Sequence, residues 1–360
     1  MNICVLHAEY LGHDSGPTIV VRNLVDQWSR SNNVTVISGV EFKSLSNASV
    51  ISTQSSRYLI WLLRTSGLRK ILSSQDVIFD SAYTIPTLLY AKLLQRVPIV
   101  ALIHDDQYLE ASIERRPYVA RLRQYLLQKI SIRLSNRTIT VSEAARKRIV
   151  SRYGCESKIS VIENGVDVEE FRDLGLERSE VILFVGDMSH FERKGISTLL
   201  GAMSVLVRES PKLKLVTIGL TNRRFGSEVE RLGLRGNVES KGFLERQDLV
   251  RWYNRASVLV LPSRFEGFGL VVNEAMACST PVIISDKVPA SDVVAQARAG
   301  FIFPVGDVSA LANYIRKLIL DKELAREFGQ HGREYVSAHL SWKQVAERYL
   351  SVFEEIIKHS

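Results

Sequence analysis

Short runs of Val, Ile and Leu alternate along this chain with stretches whose apolar positions recur every three to four residues. The first pattern suits strands buried on both faces, the second amphipathic helices. In the first half, strands are predicted at 3–7, 34–38, 77–80, 99–104, 138–141 and 159–162, with helices at 17–30, 57–72, 84–95, 116–134 and 143–152. In the second half, strands are predicted at 181–186, 215–219, 238–240, 258–261, 282–285 and 301–303. Helices are predicted near 195–208, 226–233, 247–255, 270–278, 307–320, 321–337 and 342–358. Such alternation predicts an α/β protein with parallel sheets and helices on both faces. The series restarts after 167–180, a polar, strand-free stretch, with the apolar run VILFVGD. Two doubly wound domains are therefore expected, 1–170 and 171–340, with 341–360 a final helix packing back on the first. Ligands of such sheets bind at the carboxyl ends of the strands. If the two sheets face each other, that places a ligand in the cleft between them.

Composition narrows the class. The chain is 46% hydrophobic and 24% charged, as a soluble globular protein is. No continuous apolar stretch reaches about 18 residues, so no spanning helix is expected. MNICVLHAEY lacks a basic leader and reads as a strand, not a signal peptide. Cys4, Cys155 and Cys278 form no C-x-x-C and suit small buried residues in a reducing compartment, so the cytoplasm is expected. The net charge of +8 is uneven: 111–152 holds eleven Lys/Arg against two acids, Glu114 and Glu143. A second stretch, 57–72, has four bases, no acid, a Trp and a Tyr. Both suit an anionic partner such as a membrane surface or an acidic glycan. Nucleic acid is not expected, because no recognised binding module interrupts the two-domain pattern.

The densest chemistry lies in SRFEGFGLVVNEAMACSTPVIIS, 263–285. A strand ends at Pro262, a loop follows, and a helix opens near Gly269. Gly267 and Gly269 let the backbone approach a ligand closely. The first helix amides, near Leu270 and Val271, have no partner within the helix and form a ready anion site. Glu266 lies before that helix start and Glu274 one turn inside it. Two acids there could simply favour the helix dipole. The alternative is a nucleotide-sugar, its diphosphate on the amides and one carboxylate on each flank accepting from ribose and hexose hydroxyls.

PSRFEGFGLVVNEAMACSTPVI resembles the signature of the retaining glycosyltransferases of family 4, with E-x7-E at Glu266 and Glu274. ITVSEAARKRI (139–149), KISVIENGVDVEEF (158–171), VILFVGDMSHFERKGISTLLGAM (181–203) and VESKGFLERQDLVRWYNRASVLVLPS (238–263) resemble other segments of that family in the same order. The resemblance is strong over 158–285 and weak in the first 100 residues. Ser279 departs from it where a Gly is usual, and Asp187 where an Arg often follows the strand glycine Gly186.

The resemblance implies a GT-B fold, two facing Rossmann-like domains, and metal-independent transfer of a sugar with retention. It implies that Lys194, with Arg193 standing in for the displaced Arg, stabilises the leaving diphosphate. It implies donor contacts at Gly186, Gly242, Phe243, Gly267, Phe268, Gly269, Leu270 and Val271, besides Glu266 and Glu274. His104, predicted to end a strand, is expected at the donor sugar's hydroxyls, and Gly16, opening the first helix, near the phosphate and acceptor. Asp105 and Asp106 are adjacent acids, but no second acidic cluster has ligand spacing, so neither a metal nor a cofactor is expected. The acceptor is expected to be a glycan or a lipid-linked sugar, with the basic runs at the cytoplasmic face of a membrane. A catalytically silent partner subunit and a GT-B sugar-nucleotide epimerase are the alternatives. The first would be expected to lose Glu266, Lys194 or the phosphate-binding helix. The second lacks the setting of Glu266 and Glu274.

Overall fold

The computed structural model describes residues 1–7, 15–38, 48–52, 66–81, 83, 85–92 and 97–359. The chain separates into two compact units: Met1–Asn164 together with Trp342–Ser360, and Gly165–Ser341. The first division falls between Asn164 and Gly165, where 170 was expected. The second falls just before the last helix, where 340 was expected.

The first unit is a seven-stranded sheet in the order β3-β2-β1-β4-β5-β6-β7. Its strands are β1 (Asn2–His7), β2 (Asn33–Ser38), β3 (Ser49–Ser52), β4 (Val77–Asp80), β5 (Ile99–Leu102), β6 (Arg137–Thr140) and β7 (Ile159–Val161). Every neighbouring pair is parallel, so each connection crosses over the sheet. The helices are α1 (Gly16–Trp28), α2 (Ser66–Ser73), α3 (Ile85–Tyr90), α4 (Gln107–Ile113), α5 (Tyr118–Leu134), α6 (Glu143–Tyr153) and, from the end of the chain, α14 (Trp342–Lys358). β4 and β5 are buried at every position, as their unbroken apolar runs predict.

The second unit is a six-stranded parallel sheet in the order β10-β9-β8-β11-β12-β13. Its strands are β8 (Ser179–Val185), β9 (Lys214–Ile218), β10 (Val238–Ser240), β11 (Ala256–Leu261), β12 (Val282–Ser285) and β13 (Gly300–Phe303). Its helices are α7 (Ile196–Glu209), α8 (Arg223–Arg231), α9 (Arg246–Arg255), α10 (Leu270–Ala277), α11 (Ser291–Ala297), α12 (Val308–Leu320) and α13 (Lys322–His339). Strand order reverses between β8 and β11, and the loops leaving a sheet at such a point form its ligand site.

Three elements escape the sequence pattern. β3, α4 and α11 are too short to show a period. The expected 57–72 helix begins only at Ser66 among the described residues, since 57–65 lie outside them. Residues 93–95 of the expected 84–95 helix also lie outside them.

Candidate functional site

In the second unit, the loops after β8 and β11 meet at the point of strand reversal. The contact that fixes them is Gly195, which opens α7 with φ +65°. A Cβ there would lie 2.0 Å from the Pro262 carbonyl oxygen, so only glycine lets the two loops close. The Arg264 amide donates to the Arg193 carbonyl at 2.7 Å and seals the same contact.

This places Lys194 against Glu266. The Lys194 ammonium donates to Glu266 Oε1 at 2.7 Å, and the Ser263 hydroxyl donates to the same oxygen at 2.6 Å. Both side chains of the ion pair are largely buried, 13% and 9% exposed. Burial alone pushes the Glu266 carboxyl up. The Lys194 and Arg193 charges and the two hydrogen bonds outweigh it and leave it below the usual carboxylate range. Gly186, at the end of β8, lies beside the Lys194 ammonium; a Cβ there would sit 3.6 Å from Nζ. Asp187, the departure next to it, turns back to accept from the Ser189 amide at 2.8 Å.

Gly269 caps α10 with φ +104°, and its missing Cβ would meet Val288 and Leu261. The cap supplies no side-chain acceptor, and the Leu270 and Val271 amides begin the helix half-buried. Phe268 is buried in the loop wall and Gly267 half-buried beside it.

On the far side of this turn Glu274 Oε2 accepts from the Tyr253 hydroxyl at 2.7 Å. Burial pushes the Glu274 carboxyl up, and the Tyr253 bond and the Arg246 charge oppose it only in part. Tyr253 is fully buried, edge-on to Phe171. Its carbonyl accepts from Arg178 and Thr280, and Arg178 also donates to the Cys278 and Ser279 carbonyls where α10 ends. Ser279 takes φ +56° there, which explains why a glycine suits that place. Sequence reasoning missed Tyr253 and Ser263. An aromatic in the last turn of α9 gives no hint that it reaches into α10.

Gly242 follows β10 with φ +66° and accepts from the Gly219 amide at 2.8 Å; Phe243 beside it is 62% exposed.

In the first unit Gly16 is exposed at the start of α1, which Ser15 caps. His104 follows β5. Its Nε2 is buried without a hydrogen-bond partner, and burial, then the neighbouring His7, pushes its pKa down to about 4. His7 is tied in at both nitrogens, Nδ1 to Ser81 at 2.8 Å and Nε2 to Thr18 at 3.3 Å. Ser81 donates to the Leu6 carbonyl, so it accepts from His7 Nδ1–H. Asp105 holds Arg148 through both oxygens, and Asp106 holds Arg152 and caps α4. Those carboxylates fasten α6 to the sheet. Among the described residues, no cluster of three or more His, Cys, Asp or Glu could hold a metal, and no helix is long and apolar enough to cross a membrane.

The family described as glycosyl transferases group 1 matches residues 167–335, and the one described as glycosyltransferase family 4 matches 15–170. The chain belongs to the group 1 glycosyltransferases. A capsular polysaccharide biosynthesis glycosyltransferase, CapM of Staphylococcus aureus, is 31% identical over 252 residues, 66% of either chain. The aligned part thus spans just under two thirds of that relative. Sucrose-phosphate synthase from Thermosynechococcus elongatus shares the fold at TM-score 0.80, 22% identity and full coverage of both chains. Anabaena HepE, solved in complex with UDP and glucose, shares it at TM-score 0.79 and 18% identity, over 98% of this chain and 99% of that one. The glycosyltransferase fold here is accordingly GT-B.

Proposed function

We propose that this glycosyltransferase moves a sugar from a nucleoside-diphosphate donor to a glycan or lipid-linked acceptor, with retention and without a metal. The observation that carries the reading is the Lys194–Glu266–Ser263 cluster beside the glycine-capped start of α10. Breaking the bond to the anomeric carbon builds charge on the leaving diphosphate, and preorganised donors must meet it. Lys194, Arg193 and the Leu270 and Val271 amides are the donors. Glu266 holds Lys194 in place through Oε1, so Oε2 accepts from the donor sugar's hydroxyls. Glu274, oriented through Oε2 by Tyr253, offers Oε1 to the ribose. His104, on the first unit, is neutral above about pH 5 given its lowered pKa, and its ring is suited to hydrogen bonding without charge. Retention follows a front-face course: the acceptor oxygen bonds the anomeric carbon as the phosphate oxygen leaves, and that oxygen takes the acceptor's proton. The reading places the chain at the cytoplasmic face of a membrane, with the acceptor on the first unit.

The test is donor hydrolysis by the purified chain across UDP-, GDP- and ADP-sugars, followed as nucleoside diphosphate release and as thermal stabilisation. One donor class is expected to respond, with activity unchanged in EDTA. No response to any donor favours a silent partner subunit. Activity lost in EDTA and restored by Mg²⁺ or Mn²⁺ overturns the metal-free course.

A further inference from the structure

α5 has one buried face and, opposite it, an apolar face that is not covered. Its inner face buries Gln128, Ser131 and Ile132. On the opposite face Val119, Leu122, Leu126 and Ile130 recur at steps of three and four, a single stripe along the helix, and all four are exposed, Val119 to 76%. Tyr118, 61% exposed, opens the helix. A surface helix ordinarily turns charge outward, so this stripe marks an interaction face.

The cations around it separate into two groups. Arg137, Arg146, Arg148 and Arg152 are held in ion pairs by Glu355, Glu143 and Glu156, Asp105 and Asp106. That removes much of the charge excess of 111–152 from the surface. No ion pair among the described residues engages Arg115, Arg123 or Arg133, and Arg116 meets only Glu114. All four are exposed. Arg123 and Arg133 lie on the stripe's face of α5, and Arg115 and Arg116 sit in the turn before it. Because β5 and β6 are parallel, α5 runs back along the sheet, and its first turn lies at the edge where His104 follows β5.

We propose that the outer face of α5 docks on an anionic lipid bilayer. The four aliphatic side chains enter the acyl boundary, and the four arginines meet lipid phosphates. Aliphatic residues flanked by cations match that surface at both depths. The proposal deepens the reading above, on which it rests for a lipid-borne acceptor, by naming the surface that reaches it.

The test is co-sedimentation of the full chain with phosphatidylcholine vesicles, with or without phosphatidylglycerol. Two variants accompany it, Leu122→Ser/Leu126→Ser/Ile130→Ser and Arg115→Ser/Arg123→Ser/Arg133→Ser. The wild type is expected to partition at least about tenfold more onto anionic vesicles, less so as salt rises, and each variant to lose about tenfold. Thermal stabilisation by the donor nucleotide is expected to match wild type in both variants, which also shows that they fold. Equal binding to both vesicle types, or a stripe variant that binds like wild type, overturns the proposal. So does a wild-type dimer that the stripe variant dissociates while neither binds vesicles, since a second copy then covers the face. Vesicle binding without any nucleotide response overturns the transferase reading and leaves the docking face standing.

Discussion

Glu274 and Tyr253 act as one unit at the residue scale. A charge-assisted hydrogen bond contributes about 1.5–3 kcal/mol, so Glu274→Ala is expected to weaken nucleoside diphosphate binding at least about tenfold by calorimetry. Unchanged affinity in a folded variant removes Glu274 from the site. Tyr253→Phe deletes one hydroxyl and keeps the ring. That hydroxyl holds the Glu274 pKa down against burial. On the proposed reading binding needs the ionised carboxylate, so affinity is expected to fall as pH drops through the Glu274 pKa. In Tyr253→Phe that fall is expected at higher pH than in wild type; an unmoved profile means Tyr253 only fills space. Lys194 carries a different linkage. Removing one partner of a buried pair costs about 3–5 kcal/mol. In wild type the Glu266 pKa lies below its unfolded value, so its contribution is present at neutral pH and lost only in acid, through the lowered folded pKa. In Lys194→Ala burial is opposed less, and the folded pKa is expected to rise above the unfolded one. Its melting temperature is then expected to rise from pH 7 to pH 5 relative to wild type, because protonation relieves a buried charge. A parallel pH response in both proteins removes this linkage.

The element scale turns on how closely the loop into α7 approaches the loop after β11. Gly195→Ala puts a methyl group into the Pro262 carbonyl, at a φ that itself costs a side chain about 1–2 kcal/mol. The backbone must move, and Lys194 moves with it. Loss of nucleotide-induced stabilisation is expected together with a lower melting temperature. Binding that survives intact would mean that this contact does not set the site. The sequence showed Lys194 and Glu266 each in a loop near a strand end, because such loops are visible in one dimension. It did not show that Lys194 and Glu266 share one bond. Seventy-two positions separate them, and the strand order that brings them together is a property of the sheet. His104 and Asp105 divide the same way. Their place after a strand was legible, but Arg148 claiming Asp105 was not, since any of the nearby arginines could have done so.

At the scale of the whole molecule, the last helix completes the first unit. α14 packs on α1 in the first unit, where Trp28, Phe79, Tyr349 and Phe353 form an aromatic cluster with ring centroids as close as 5.2 Å. The Trp28 indole donates to the Ala346 carbonyl at 3.2 Å. Removing 342–360 uncovers this cluster and leaves that indole without its acceptor. Calorimetry of the truncated chain is expected to show the first unit's transition lost or lowered and the second unit's retained. Both transitions unchanged would mean that α14 adds nothing to the first unit.

By itself the sequence determined the class of fold, the restart into a second domain and most strands and helices. Each follows from periods and runs that neighbouring residues carry. It also singled out the segment proposed to hold a nucleotide-sugar, because glycines, carboxylates and a helix start lie together within 263–274. Only the tertiary structure decided which groups complete the site. Tyr253 beside Glu274, Lys194 and Ser263 on one oxygen of Glu266, and the unpaired arginines of α5 are outcomes of long-range pairing. A hydrogen bond between residues far apart leaves no local trace, because either partner alone looks like any other tyrosine, lysine or arginine.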